Sequence, residues 1–233
     1  MGEPTRVEYH AELRDLEEHA LEGLDLVVDA LDRTLEATRN QDAELAQAVV
    51  EGDDALDGRY LEVHQRLLTL IAREAPVAGD LRLISALLHV MKSMERMGDQ
   101  CVNVAKMIPI AGSDPPADER MLENIAAMGL QVRSQVSQAK RAFADRDVGL
   151  ARDLVRQDDI VDALNRECFQ IAIEIGDEPD RREWAMTMIL VARALERIGD
   201  NSVDIGEQVA YVVTGLFREF DDASHPGAAG AAG

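Results

Sequence analysis

Two stretches of the sequence carry carboxylates at a spacing that sets them side by side on a helix. Glu95 and Asp99 are four residues apart, and Glu196 and Asp200 repeat the pair at an offset of 101 residues. Residues four apart on an α-helix project from the same side, about one turn from each other. Both pairs lie in a Glu-Arg-x-Gly-Asp stretch. The chain therefore contains a duplicated acidic motif.

A second acidic spacing occurs upstream of each motif. Asp53 and Asp57 are four residues apart, and so are Asp158 and Asp162. Each half of the chain thus offers one Glu-x-x-x-Asp and one Asp-x-x-x-Asp. If the two acidic helices of a half are neighbours with these flanks facing each other, up to four carboxylates converge.

Converging carboxylates need a compensating cation, because like charges four residues apart destabilise an isolated helix by a few tenths of a kcal/mol. Hard oxygen ligands from two helices suit Mg²⁺, Mn²⁺, Ca²⁺ or ferric iron. Asn103 and Asp204 extend the two motifs by one turn and are weaker candidate ligands. No histidine follows at the Glu-x-x-His spacing of di-iron bundles, so redox catalysis is not expected.

Ordinary surface salt bridges are a simpler interpretation of the same acids. Each carboxylate of the duplicated motif has a basic residue three positions before it, which favours an ion pair on the helix surface. The four pairs are Lys92 with Glu95, Arg96 with Asp99, Arg193 with Glu196, and Arg197 with Asp200.

The apolar residues around the motif predict which way the acids point. In the third helix they recur at alternating steps of four and three, a heptad typical of near-parallel helix packing. These residues are Leu83, Leu87, Val90, Met94, Met97, Cys101, Val104 and Ile108. Glu95 and Asp99 lie about 100° and 140° from Met94 around the helix. We therefore expect the acids to face away from the core, on an exposed or groove-lining side.

Six amphipathic segments separated by breaks predict an all-α fold. The first helix spans residues 7–38, and Asp42 is expected to cap a second helix that ends near Pro76. Asp80 is expected to cap the third. Three similar helices follow, and short connections within each half make neighbouring helices antiparallel. The sequence thus predicts two three-helix bundles in tandem.

Changes in composition predict the domain boundaries. The proline- and glycine-containing segment Pro109 to Asp118 is expected to be a linker between a first bundle over residues 1–108 and a second over residues 119–220. Residues 221–233 are polar and then rich in glycine and alanine, so we expect a disordered tail.

A formal net charge of −21 limits the classes of partner. It disfavours direct nucleic-acid binding, which needs clustered Lys and Arg, and charge-driven adsorption to anionic lipid. It favours multivalent cations or a basic protein partner, although acidity also simply keeps proteins soluble. The N-terminal residues 1–14 lack an apolar signal core, and no apolar run of about 18 residues occurs. A cytoplasmic protein is expected.

On these residues the chain resembles the PhoU family of bacterial phosphate-transport regulators. The resemblance covers about residues 7–216 and depends on the stretches Met94–Asp99 and Leu195–Asp200, together with the Asp80–Arg82 entry to the third helix. It also includes the Asp-containing second and fifth helices and the tandem layout of six helices.

The resemblance implies pseudo-twofold symmetry between the bundles and metal binding at surface Glu/Asp-x-x-x-Asp motifs. The metal implied is iron, Mg²⁺, Mn²⁺ or Zn²⁺, with its identity open. It further implies a homodimer with a non-enzymatic role, that of an adaptor that links a phosphate ABC transporter ATPase to a phosphate-sensing histidine kinase. The ligands carried over are Glu95, Asp99, Glu196, Asp200, Asp53, Asp57, Asp158 and Asp162.

Two other functions compete with the regulatory adaptor. A metal-dependent enzyme acting on phosphate esters, or oxidising a substrate, would use the carboxylates in a buried pocket. A purely structural helical module would use them only for solubility. The sequence contains no Gly-rich phosphate cradle and no nucleophile with a neighbouring base, which favours the adaptor.

Overall fold

The computed structural model describes residues 6–111 and 118–220, which form six α-helices and one short 3-10 helix and contain no strand. The all-α prediction is confirmed. The α-helices are α1 (Arg6–Asn40), α2 (Ala43–Glu74), α3 (Ala78–Met107), α4 (Glu119–Asp145), α5 (Val148–Ile175) and α6 (Pro179–Thr214).

The helices form two groups of three that also contact each other. Helices α1, α2 and α3 pack together, and so do α4, α5 and α6. Contacts between α3 and α6 and between α1 and α4 join the groups. The division at residues 108 and 119 stays a prediction: Pro109–Ala111 form the 3-10 helix, while residues 112–117 of the expected linker and the expected tail 221–233 lie outside the described residues.

Aspartates cap three of the helices. Asp42 caps α2 as predicted, since its side chain accepts a 2.9 Å hydrogen bond from the Leu45 backbone amide. Asp118 and Asp147 do the same for α4 and α5. An N-cap of this kind satisfies amides that have no partner within the helix.

The predicted cap of α3 is wrong. The helix begins at Ala78, and its N-cap residue Val77 makes no side-chain hydrogen bond. Asp80 instead lies in the first turn, where its negative charge faces the positive end of the helix dipole. The connection between α2 and α3 therefore consists of residues 75–77, and α3 begins before Asp80.

Helices α3 and α6 lie at the centre of the molecule. Helix α3 packs against α1, α2 and α6, and α6 packs against α3, α4 and α5. Each is therefore buried over more of its circumference than one heptad stripe covers. Met91, Gly98 and Val102 of α3 are buried although they lie outside the heptad. Within the described residues, no helix has the length and apolar character needed to cross a bilayer.

Two leucines of α6 give a matched test of this core. Leu195 is fully buried, whereas Leu190 is 54% exposed. We expect Leu195→Ala to lower the free energy of unfolding by about 2–5 kcal/mol, because it removes packed methyl groups and leaves a cavity. Leu190→Ala, measured by the same chemical denaturation followed by far-UV circular dichroism, should cost less than about 1 kcal/mol. Equal losses would contradict the assigned orientation of α6.

Candidate functional site

The structure brings the acids of the first half together between α2 and α3. We call Asp53, Asp57, Glu95 and Asp99 the first acidic cluster. Burial raises the pKa of Asp53, and the charges of Asp57 and Asp99 raise it further. Burial also raises the pKa of Asp99, with Glu95 and then Asp57 adding to the shift. The two helices thus face each other with their acidic flanks, which is the condition under which the sequence analysis expected the carboxylates to converge.

The second half repeats the arrangement between α5 and α6. Asp158, Asp162, Glu196 and Asp200 form the second acidic cluster. Burial raises the pKa of Asp158 to about 7, and the charges of Asp200, Asp162 and Glu196 act in the same direction. A 3.2 Å hydrogen bond that Gln135 Nε2 donates to Asp158 Oδ1 opposes the shift.

The pKa values of two more acids of the second cluster, Asp200 and Glu196, are shifted in the same direction. Burial raises the pKa of Asp200 to about 6, with Glu196 as the next cause, and Arg193 opposes the shift. Burial likewise raises the pKa of Glu196, although Arg193 lowers it. The second cluster is therefore the more strongly desolvated of the two.

Glycines allow the acidic helices to approach each other. A Cβ atom at Gly199 would lie 2.8 Å from Asp158 Oδ1 and 3.2 Å from Gln135 Oε1. At Gly98 it would lie 3.0 Å from Leu56 Cδ1 and 3.5 Å from an Asp53 carboxylate oxygen. The two mid-helix glycines of the duplicated motif thus leave space that the carboxylates of the neighbouring helix occupy.

The expected outward orientation of the acids is only partly correct. Asp57, Asp99 and Asp200 are exposed, but Glu196 is only 8% exposed. The other four acids are half-buried. The single-stripe argument failed for Glu196 because α6 packs against three other helices, so positions beside the stripe are covered too.

Ion pairs account for some of the carboxylates. Lys92 Nζ lies 2.6 Å from Glu95 Oε2, and Arg193 pairs with Glu196. Within the described residues, the predicted pairs of Arg96 with Asp99 and of Arg197 with Asp200 do not form. Surface ion pairs therefore account for the two glutamates of the duplicated motif. Its two aspartates do not form the ion pairs that the sequence predicted.

Of the two weaker candidate ligands, Asp204 is close enough to the second cluster for its charge to raise the pKa of Asp200. Asn103 is exposed on α3. Asp204 has an exposed edge near α3, and loss of solvent raises its pKa while Arg96 and His89 lower it. The pair at this position therefore differs between the halves in chemistry and in surroundings.

Two buried amides that the sequence analysis missed border the second cluster. Gln135 of α4 is fully buried, and Asn165 of α5 is 7% exposed. Gln135 Oε1 and Asn165 Oδ1 accept no hydrogen bond from any residue that the structure describes. A buried acceptor without a partner is costly, and a proton or cation held by the adjacent acids would supply one. The sequence carried no signal for these amides, because only the packing of α4 and α5 places them beside the second cluster.

The clusters are not preorganised as metal sites. Among the residues that the structure describes, no group of three or more His, Cys, Asp or Glu side chains is arranged to hold a metal ion. Coordination at either cluster would require new rotamers of its exposed aspartates. The geometry supports concentration of negative charge and proton uptake at the more buried acids.

The fold and the paired clusters define an all-α protein of two similar helical units. The sequence model of the PhoU domain matches residues 21–108 and again residues 125–209. The chain therefore belongs to the PhoU family.

Several relatives match over most of their length. The chain is 29% identical over 220 residues to a phosphate-specific transport system accessory protein PhoU homolog of Clostridium acetobutylicum, covering 94% of this chain and all of that protein. It is 31% identical to PhoU homolog 1 of Thermotoga maritima, with 97% of each chain covered. The crystal structure of PhoU from Pseudomonas aeruginosa superposes with a TM-score of 0.84 at 29% identity, covering 89% of this chain and 100% of the other.

The raised pKa of Asp158 makes a testable contribution to stability. The carboxyl has a reference pKa of 3.8 and a folded pKa of about 7, so the folded state binds the extra proton between these values. Its contribution to stability is full below pH 4 and falls as the pH rises to 7. Asp158→Asn removes this loss and should be more stable than the native chain at pH 8, by about 1 kcal/mol or more.

The measurement is chemical denaturation of both proteins between pH 4.5 and pH 8. The difference in unfolding free energy should grow with pH up to pH 7 and then stay constant. Asp159→Asn, at the exposed neighbour of Asp158, is the control and should follow the native profile. Parallel profiles for Asp158→Asn and the native chain would refute the assignment.

Proposed function

We propose that this chain is a non-enzymatic cytoplasmic regulator of phosphate uptake and of the phosphate-starvation response. It acts by contact, as an adaptor between a phosphate ABC transporter ATPase and a phosphate-sensing histidine kinase. The observation that carries the proposal is family membership in both halves of the chain, since the PhoU domain model matches residues 21–108 and 125–209. The C. acetobutylicum relative, which the chain covers completely, is a phosphate-specific transport system accessory protein.

The adaptor role also agrees with the surface chemistry. A net charge of −21 and two acidic clusters favour basic partner surfaces through electrostatic complementarity. Exposed apolar side chains supply further contact area, and we include a homodimer in the proposal on this ground. They include Phe169 and Ile173 on α5 and Met186 and Leu190 on α6.

Metal binding at the acidic clusters is part of the proposal. Several carboxylates lie between the same two helices, and the like charges of Asp57 and Asp99 both act on Asp53. The unpartnered oxygens of Gln135 and Asn165 are additional acceptors beside the second cluster. A Mg²⁺, Mn²⁺, Zn²⁺ or iron ion would neutralise this charge and would take oxygen ligands from exposed aspartates after rotamer changes.

Deletion of the gene tests the regulatory role. We expect derepression of phosphate-responsive genes at high phosphate, because the contact that holds the kinase signal off is lost. The readout is a transcriptional reporter measured at high and low phosphate, and complementation with the native gene should restore repression. Unchanged reporter activity in the deletion strain would overturn the regulatory proposal.

Titration with Mn²⁺ tests the metal sites. We expect the double variants Asp53→Asn/Asp99→Asn and Asp158→Asn/Asp200→Asn each to lose one class of site in calorimetry. Affinity at the second cluster should rise from pH 6 to pH 8, because the metal displaces protons from Asp158 and Asp200, whose pKa values are about 7 and about 6.

The control for these variants removes the same charge elsewhere. Glu36→Gln/Glu183→Gln changes two exposed acids outside the clusters and should leave the isotherm unchanged. If the control lost as much Mn²⁺ binding as the cluster variants, the loss would be an effect of net charge and not of the clusters. Phosphoester turnover by the Mn²⁺-loaded protein, abolished by Asp99→Ala/Asp200→Ala, would instead establish an enzyme.

A further inference from the structure

The first half of the molecule contains a cleft between α1, α2 and α3. Its volume is about 240 Å³, larger than the cavity of about 150 Å³ that binds benzene in an engineered protein core. Buried apolar residues form its floor, among them Val49, Leu56 and Val102. The cleft is thus large enough for a small organic molecule with an apolar body.

Missing side chains create this space. Gly52 of α2 lines the cleft, and a Cβ atom at this position would meet only Arg33 Nη1 within 4 Å, at 3.8 Å. Gly98 of α3 and Ala30 of α1 also line it. The cleft therefore lies where three helices each contribute a small residue.

The second half fills the corresponding place with glutamines. Gln157 precedes Asp158 as Gly52 precedes Asp53, and Gln131 is related to Ala30 by the 101-residue offset. Gln131 Nε2 donates a 3.1 Å hydrogen bond to Gln157 Oε1, and Gln157 Nε2 donates to Gln138 Oε1 at 2.9 Å. The second half therefore has hydrogen-bonded glutamine side chains at the positions related to the open cleft of the first half.

Charged groups at the mouth of the cleft favour a cation. Asp29 and Asp53 line it with Arg33, so two carboxylates face one guanidinium. The contact of Arg33 Nη1 with Asp29 Oδ2 is long, at 4.0 Å, and within the described residues Asp53 makes no ion pair. Asp57 and Asp99 add negative charge beside Asp53. A cationic group at the mouth would relieve this repulsion.

We propose that this cleft binds a small organic ammonium ion. The hydrocarbon body of the ligand lies on the floor formed by Val49, Leu56 and Val102, and its ammonium group faces Asp29 and Asp53. Apolar walls with a few charged groups at one end are typical of small-molecule sites. The apolar floor of the cleft contains no candidate metal ligand. The cleft and the first acidic cluster have only Asp53 in common.

Calorimetric titration of the full chain with 2-phenylethylamine tests the proposal, in buffer with a chelator so that metal is absent. 2-Phenylethanol is the neutral counterpart of the same shape. We expect the amine to bind at least about tenfold more tightly than the alcohol, because only the amine can pair with the carboxylates. No binding of the amine, or equal affinity of the two ligands, would overturn the proposal.

Gly52→Gln closes the cleft with the residue that the second half uses. We expect it to weaken amine binding at least about tenfold. Gly58→Gln, on the same helix, should leave binding unchanged, because an added Cβ atom there points into open space among the described residues. Ala30→Gln is a second closing variant in case the first fails to fold, as judged by circular dichroism. Native affinity in a folded closing variant would refute the assigned site.

The closing variants also separate this proposal from the proposed function. They keep every carboxylate of the first acidic cluster, so binding of Mn²⁺ and repression of the phosphate reporter should persist in them. Loss of amine binding with retained Mn²⁺ binding therefore supports the cleft. Loss of both in a folded variant would show that the cleft is not an independent site.

Discussion

Confinement of like charges between packed helices is the constraint on which the rest of this structure depends. In each half two helices carry carboxylates on facing flanks, and burial adds to their mutual repulsion. The glycines of the duplicated motif permit the close approach, since a Cβ atom at Gly199 would meet Asp158 Oδ1 at 2.8 Å. Packing of α3 and α6 against three helices each supplies the burial that offsets the repulsion.

The two halves use this arrangement differently. The second cluster is more desolvated and has buried amides beside it, with Gln135 bound to Asp158. Among the described residues, the first half has no buried amide side chain, and it has an open cleft next to Asp53. The duplication preserves the carboxylates, but the second half has a glutamine at the position related to Gly52. The charge is common to both halves, and the available space is specific to the first.

Much of the fold could be predicted because it depends on local periodicity. The heptad of α3, the Asp42 cap and the end of α2 before Pro76 each depend on neighbouring residues alone. The prediction that Asp80 caps α3 failed because several residues there can begin a helix, and packing selects among them. The facing of the acidic flanks could be stated only as a condition from the sequence, because a short connection makes the two helices of a hairpin antiparallel neighbours but does not fix how each is rotated about its axis.

The sequence by itself determined the six helices, the duplication and the eight acids, because spacing along a helix settles which side chains share a side. Only the tertiary structure decided how deeply each acid is buried. Glu196 is covered because α6 contacts three helices, and the pKa of Asp158 rises because packing of the helices removes solvent from its carboxyl and brings Asp200 close to it. The cleft at Gly52 is likewise a property of three helices together. The desolvation of a side chain depends on all of its neighbours in space, and the periodicity of a single helix does not specify those neighbours.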